Sequence, residues 1–230
     1  GGVIVLGTVV NAGAIILGGS IGLVFKKGLP KRFGNQVMNG LALCVLYIGI
    51  SGTLQAKNVL MLILSMVIGT LIGELLDLDE RVTQLGNWLE NKFKSKDEYV
   101  SISEGFVSAS LLFCVGAMAI VGALQDGLKG DTSMLYTKAM LDGISALIFS
   151  TSLGVGVILS SVLVLIYQGG ITFLASLMAP FLTDMVIAEM TGVGSLLIIG
   201  LALNMLRMTN LKLMNFVPAI FIPILLSLIM

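Results

Sequence analysis

Nearly the whole of this chain divides into apolar stretches of membrane-spanning length, and that division leaves few ways for it to fold. Of its 230 residues 57% are hydrophobic and 11% are charged, whereas soluble domains carry about 25% charged residues. Such a chain cannot cover its surface with polar groups, so its solvent must be lipid. The expected fold is all-α, a polytopic transmembrane helix bundle forming one transmembrane domain over residues 1–230. Eight spans can be drawn, at Val3–Phe25, Val37–Leu54, Val59–Leu76, Phe106–Leu124, Leu135–Ser150, Val155–Leu177, Thr191–Leu206 and Leu213–Met230. The fifth and seventh fall short of the roughly 20 residues a crossing helix needs, so seven spans is the alternative. The first segment lacks a basic leader and reads as a true helix rather than a cleavable signal.

The first four stretches are one two-helix unit written twice, over residues 7–55 and 58–125. Gly18 and Gly22 recur as Gly69 and Gly73, and the run from Cys44 to Gln55 recurs from Cys114 to Gln125 with six of twelve positions identical. Duplicated helix bundles are common raw material for transporters. Small residues spaced four apart let membrane helices approach closely, so the four glycines are expected to pack helices. Cys44 and Cys114, at matching positions, read as small core residues.

The copies differ by an inserted polar segment, Asp77–Glu104. Its Val82, Leu85, Leu89 and Phe93 recur at helical spacing beside Trp88, the pattern of an amphipathic helix at the membrane interface. Cations cluster in the first loop (Lys26, Lys27, Lys31, Arg32), in the third (Arg81, Lys92, Lys94, Lys96) and beside the seventh span (Arg207, Lys212). With eight spans all three sets fall on one side, the cytoplasmic one, and both termini lie outside.

Polar groups at membrane depth carry the functional information, because a charge at a helix centre costs about 2.5–3.5 kcal/mol to insert. Asp142 lies inside the fifth span with Lys138 one turn earlier on the same face. The two either neutralise each other or bind a solute or ion, with Asn11 of the first span as a neutral ligand. Glu74, Gln168 and Asn204 are candidates for a gate or for secondary polar contacts. Asp131, Thr132 and Ser133 form a helix-capping cluster. The chain has no histidine, which disfavours ordinary zinc and haem sites, and its zero net charge gives no reason to expect nucleic acid. No metal, cofactor or catalytic constellation is expected, and the chain reads as a non-enzyme.

The run Gly2–Gly13, continuing through Leu17, Gly18 and Gly19 to Leu29-Pro30-Lys31-Arg32, resembles the bacterial membrane proteins grouped as domain of unknown function 554, the YqgA/YdfK-like proteins. Gly69, Gly73 and Glu74, Gly130, Asp131 and Ser133, and the run Lys138–Asp142 fit the same pattern. The resemblance implies a multi-pass protein of the bacterial inner membrane and supplies no substrate. The expected function is a secondary transporter or facilitator of a small solute or ion. An oligomeric channel and a non-transporting scaffold or sensor are the alternatives, and beyond lipid and solute the one partner allowed for is a second copy of the chain.

Overall fold

In a computed structural model of the chain, residues 5–26, 31–93, 101–115 and 117–229 are described. Of the positions singled out above, residues 1–4, Lys27, Leu29, Pro30, Lys94, Lys96, residues 97–98, Gly116 and Met230 lie outside them. The described residues are helical, with no strand: α1 (Leu6–Lys26), α2 (Lys31–Thr53), α3 (Val59–Leu76), α4 (Leu78–Phe93), α5 (Ile102–Cys114), α6 (Ala117–Lys129), α7 (Ser133–Leu153), α8 (Gly156–Phe173), α9 (Ala175–Met178), α10 (Asp184–Met205), α11 (Leu213–Phe216), a 3-10 turn (Val217–Phe221) and α12 (Ile222–Leu226). Five of these helices are long and apolar enough to cross a membrane: α1, α2, α3, α8 and α10. The α5–α6 pair makes six if it is counted as one bent span.

Several boundaries differ from the sequence reading, each for a local reason. The fourth stretch is broken into α5 and α6, whose axes diverge by 62°. Val115 ends α5 in an extended conformation (φ −80°, ψ 135°), just before a glycine, the weakest helix former after proline. The matching run in α2 has Leu46 in place of that glycine and stays helical from Cys44 to Thr53. The fifth stretch is a full helix of 21 residues, and the seventh is a single 22-residue helix that absorbs the segment before it. The last stretch is divided into α11, the 3-10 turn and α12, because Pro218 and Pro223 each remove a backbone donor. Cys44 is exposed on α2, not in the core, while Cys114 is partly buried.

The chain folds into two compact units, each assembled from separate stretches of sequence. Unit 1 comprises Gly1–Asn35 and Gly86–Pro180; unit 2 comprises Gln36–Leu85 and Phe181–Met230. In unit 1 the most extensive packing joins α1 to α7. These helices run parallel, with Gly7 against Leu135, Gly18 against the Gly143 backbone, and Gly22 against Leu147 and Ser150. α8 runs antiparallel to α1, with Gly19 on Ile158 near one end and Gly169 beside Thr8 near the other. At the start of α7, Asp131 accepts the Ser133 amide at 3.0 Å. Hydrogen bonds from the Ser133 hydroxyl and amide hold the Asp131 carboxyl below the ordinary carboxylate range. This capping contribution is therefore present above the unfolded carboxyl's titration and is lost as pH falls through the lowered folded value.

Unit 2 shows most directly what surrounds the protein. α3 buries Met61, Ser65, Gly69 and Gly73, while Leu60, Ile63, Val67, Leu71 and Leu75 are exposed. Met61 apart, small residues face inward and large apolar ones outward, the reverse of a water-soluble helix. Gly69 lies on the Ala219 backbone and Gly73 on the Asn215 carbonyl, while Gly49 and Gly52 of α2 pack on Ile199 and Ser195 of α10.

Backbone contact at Gly18 leaves no room for a side chain, whereas a methyl group at Gly13 would meet nothing within 4 Å. Gly18→Val is expected to destabilise the protein by about 1–3 kcal/mol through overpacking, and Gly13→Ala to leave it unchanged or gain up to about 1 kcal/mol of helix propensity. Thermal unfolding in detergent measures both, and equal midpoints for the two variants would contradict the α1–α7 seam.

Candidate functional site

The polar centre of unit 1 is built by α1, α7 and α8. Along α7, the four-residue spacing of Lys138 and Asp142 puts both on the face turned toward α1. The Lys138 Nζ donates to Asp142 Oδ2 at 2.5 Å, and the two side chains are 7% and 10% exposed. From α1, Asn11 Nδ2 donates to the same Asp142 Oδ2 at 3.0 Å and to Gln168 Oε1 of α8 at 3.1 Å. Asn11 and Gln168 are fully buried. Asn11, Lys138 and Asp142, singled out from three distant points of the chain, thus share one cluster, and Gln168 joins it directly.

The chemistry of the cluster fixes its polarity. A carboxylate accepts only, so Asn11 must turn its amino group to Asp142. Gln168 must then present its carbonyl to that same amino group. Two atoms are left over, Asn11 Oδ1 as an acceptor and Gln168 Nε2 as a donor, and neither finds a partner among the described residues. Thr8 Oγ1, one turn from Asn11, and Thr172 Oγ1, one turn from Gln168, are also buried without a partner. Left dry, each such group costs about 1–3 kcal/mol, and four together would approach the whole stability of a domain, about 5–15 kcal/mol. The break between α5 and α6 begins after Cys114, and both helices pack on α7 and α8.

Asp126 of α6 is a further buried carboxylate in unit 1, outside the residues singled out from the sequence. It is 4% exposed, and its Oδ2 accepts the Gly7 amide in the first turn of α1 at 3.3 Å.

The remaining candidates lie in unit 2. Glu74 Oε2 accepts from Asn215 Nδ2 at 2.7 Å, and Asn215 Oδ1 accepts the Asp79 amide at 2.8 Å. Asp79 in turn accepts the Met214 amide at 3.2 Å, so these residues tie the α3–α4 turn to α11. Asp77 makes that turn in the left-handed region at φ 45°. Asn204 receives Thr209 Oγ1 and the Leu211 amide and donates to the Leu211 carbonyl, which organises the turn after α10.

One unit 2 residue went unrecognised as a buried group in the sequence. Glu189 is fully buried in α10, where its Oε1 accepts the amides of Lys57 and Asn58 at 2.8 and 2.9 Å. Its Oε2 has no partner among the described residues. The available signal was an acid three residues before Gly192, whose surface receives Ala56 of the α2–α3 connection. Among the described residues no group of three or more metal-ligating side chains occurs.

Comparison with known proteins gives the chain its relatives. The family model described as "Protein of unknown function (DUF554)" matches residues 6–228, and the chain belongs to that family. It is 32% identical over 221 residues to a Bacillus subtilis (strain 168) protein described as "Uncharacterized membrane protein YdfK", covering 94% of this chain and 93% of that one. It is 31% identical over 226 residues to an Escherichia coli (strain K12) protein described as "Uncharacterized protein YqgA", covering 97% and 96%. No solved structure matches. Together with the outward-facing apolar residues of α3, these relatives identify a multi-helix membrane protein.

Two measurements probe the buried groups. Lys138→Met and Asp142→Leu should each cost about 3–5 kcal/mol, because each strands an unpaired buried charge, while the double variant should recover much of the loss. A thermal double-mutant cycle reads this, and additive losses would show that the pair is not coupled. At Glu189, the Gln variant keeps a carbonyl acceptor for the Lys57 and Asn58 amides and the Ala variant keeps none. Glu189→Ala should therefore be the less stable of the two, by about 1–3 kcal/mol.

Proposed function

We propose that this member of the DUF554 family is a secondary transporter or facilitator that moves a small solute or ion across the bacterial inner membrane. Its binding centre is the Asn11–Lys138–Asp142 cluster with Gln168. The observation that carries this reading is a buried, mutually neutralised charge pair held by two further helices, with free hydrogen-bonding atoms beside it. Ionisable residues inside a membrane bundle are expensive and mark solute or ion pathways and relays. A broken helix close to such a centre supports the same reading, since discontinuous helices free backbone groups at transporter binding sites. Binding a solute or ion exchanges the internal Lys138–Asp142 contact for contacts to the cargo, and no covalent bond needs to form or break.

On this reading the chain makes eight passes. To the six candidates are added α7, which is long enough but carries Lys138 and Asp142, and the proline-divided segment from α11 to α12. Lys26 and Lys31, the cations around α4, and Arg207 with Lys212 then share the cytoplasmic side, and both termini lie outside. The duplication is divided crosswise between the units. α1 and the α5–α6 pair belong to unit 1, while α3 and nearly all of α2 belong to unit 2. Each unit thus takes one first helix and one second helix from the two sequence copies.

Electrometry on proteoliposomes tests this function. Concentration jumps of sodium, potassium and protons, followed by a panel of amino acids and organic acids, should give a saturable charge displacement or uptake for at least one solute. The Lys138→Met, Asp142→Leu double variant, which strands no charge, should abolish it while expression and monodispersity are kept. Unitary currents in a planar bilayer would replace the carrier with a channel. Traces matching protein-free liposomes across the panel would remove transport altogether.

A further inference from the structure

Four buried polar atoms on α1 and α8, Asn11 Oδ1, Gln168 Nε2, Thr8 Oγ1 and Thr172 Oγ1, have no partner among the described residues of unit 1. α1 and α8 are antiparallel here. Asn11 is bonded to Gln168, and one turn further on Thr8 lies beside Gly169 while Thr172 follows Gln168 by four residues. Beyond them, the Thr172 carbonyl packs on Gly127 of α6, and the neighbouring Asp126 receives the Gly7 amide. The sequence of polar groups is therefore Asp142, Asn11 with Gln168, Thr8 with Thr172, and Asp126. From Asn11 to Gly7 the helix rises about 6 Å, the reach of two hydrogen-bonded water molecules.

The donor and acceptor character of these atoms selects the occupant. Asn11 Oδ1 can only accept and Gln168 Nε2 can only donate, while the two hydroxyls do either. A bare cation would satisfy the carbonyl and repel the amino group, and an anion would do the reverse. Water satisfies both. Buried water characteristically makes two to four hydrogen bonds to polar groups that the protein leaves unpaired.

We propose that water occupies this stretch between α1, α6 and α8 and forms a hydrated route from Asp126 to the Asn11–Lys138–Asp142 cluster. Through it the centre meets the aqueous phase at the end of unit 1 where α1 begins. The proposal rests on the transport reading only for its purpose. The route requires hydration and no solute movement, so the two can fail separately.

Cysteine reactivity provides the test. Thr8→Cys, Thr172→Cys and Val9→Cys are made in the full chain, reconstituted in nanodiscs and treated with a charged methanethiosulfonate, with intact mass as the readout. Wild-type protein records the contribution of Cys44 and Cys114. Val9 sits next to Thr8 in sequence but is 56% exposed on the apolar outer surface. The thiolate is the reactive species and forms only where water reaches. The thiols introduced by Thr8→Cys and Thr172→Cys should therefore react at least about tenfold faster than the one introduced by Val9→Cys. Rates equal to that of the Val9 variant would overturn the route. Thr8→Val and Thr172→Val give an independent reading. If the stretch is dry, removing an orphaned hydroxyl raises the unfolding midpoint; if it is hydrated, the midpoint stays or falls. A raised midpoint in both variants overturns the proposal. Fast labelling in a protein that moves no solute would leave the route standing and remove the carrier.

Discussion

An ammonium and a carboxylate that must sit in a low-dielectric interior constrain everything packed around them. Lys138 and Asp142 can be buried together on α7 because each cancels the other's charge, but a lone pair of charges still leaves lone pairs and protons unsatisfied. Asn11 supplies the missing donor to Asp142. It can do so only because α1 lies close against α7, and that distance requires bare backbone where the helices touch, at Gly18, Gly22 and Gly143. Gln168 then holds Asn11 from α8. The glycine seam and the polar centre are thus two parts of one solution: without the seam the amide would not reach, and without the amide the pair would be poorly satisfied.

Unit 2 handles its buried polar groups differently. Glu189 is held by two backbone amides of the α2–α3 connection, and Asn215 bridges Glu74 and the Asp79 amide. These contacts fasten loops to helices where the chain reverses. One unit carries its polar chemistry between helices within the bundle, and the other carries it at its turns.

Much of this was legible in the sequence because membrane insertion penalises polar residues so steeply that any inside a span stand out. Asn11, Lys138 and Asp142 were found that way, and the four-residue spacing placed the latter two on one face. The glycine pairs were equally visible, although their partners were not, since spacing on one helix says nothing about which helix meets it. What escaped notice depended on tertiary structure or on short-range backbone preference. The α5–α6 break hides in a uniformly apolar run, where hydropathy carries no signal of a bend. Cys44 looked like a core residue because apolar character in this medium does not distinguish inside from outside. Glu189 stands two residues before the stretch drawn from Thr191, whereas the helix in fact begins five residues earlier, at Asp184. Asp126 stands just past the end of its apolar run, where nothing in the sequence reveals that α1 starts beside it.

The Asn11–Asp142 hydrogen bond joins residues 131 positions apart, and this has a consequence for how the protein is made. Ribosomes add about 5–20 residues per second, so α1 leaves the ribosome on the order of ten seconds before α7 exists. Throughout that interval a helix with a threonine and an asparagine on its inward face has none of its final neighbours. Parallel helices cannot be joined by a tight hairpin, so the nascent chain must lay down five intervening helices before the first can dock. Biogenesis therefore requires a temporary host for α1, which holds it until its late partner is released.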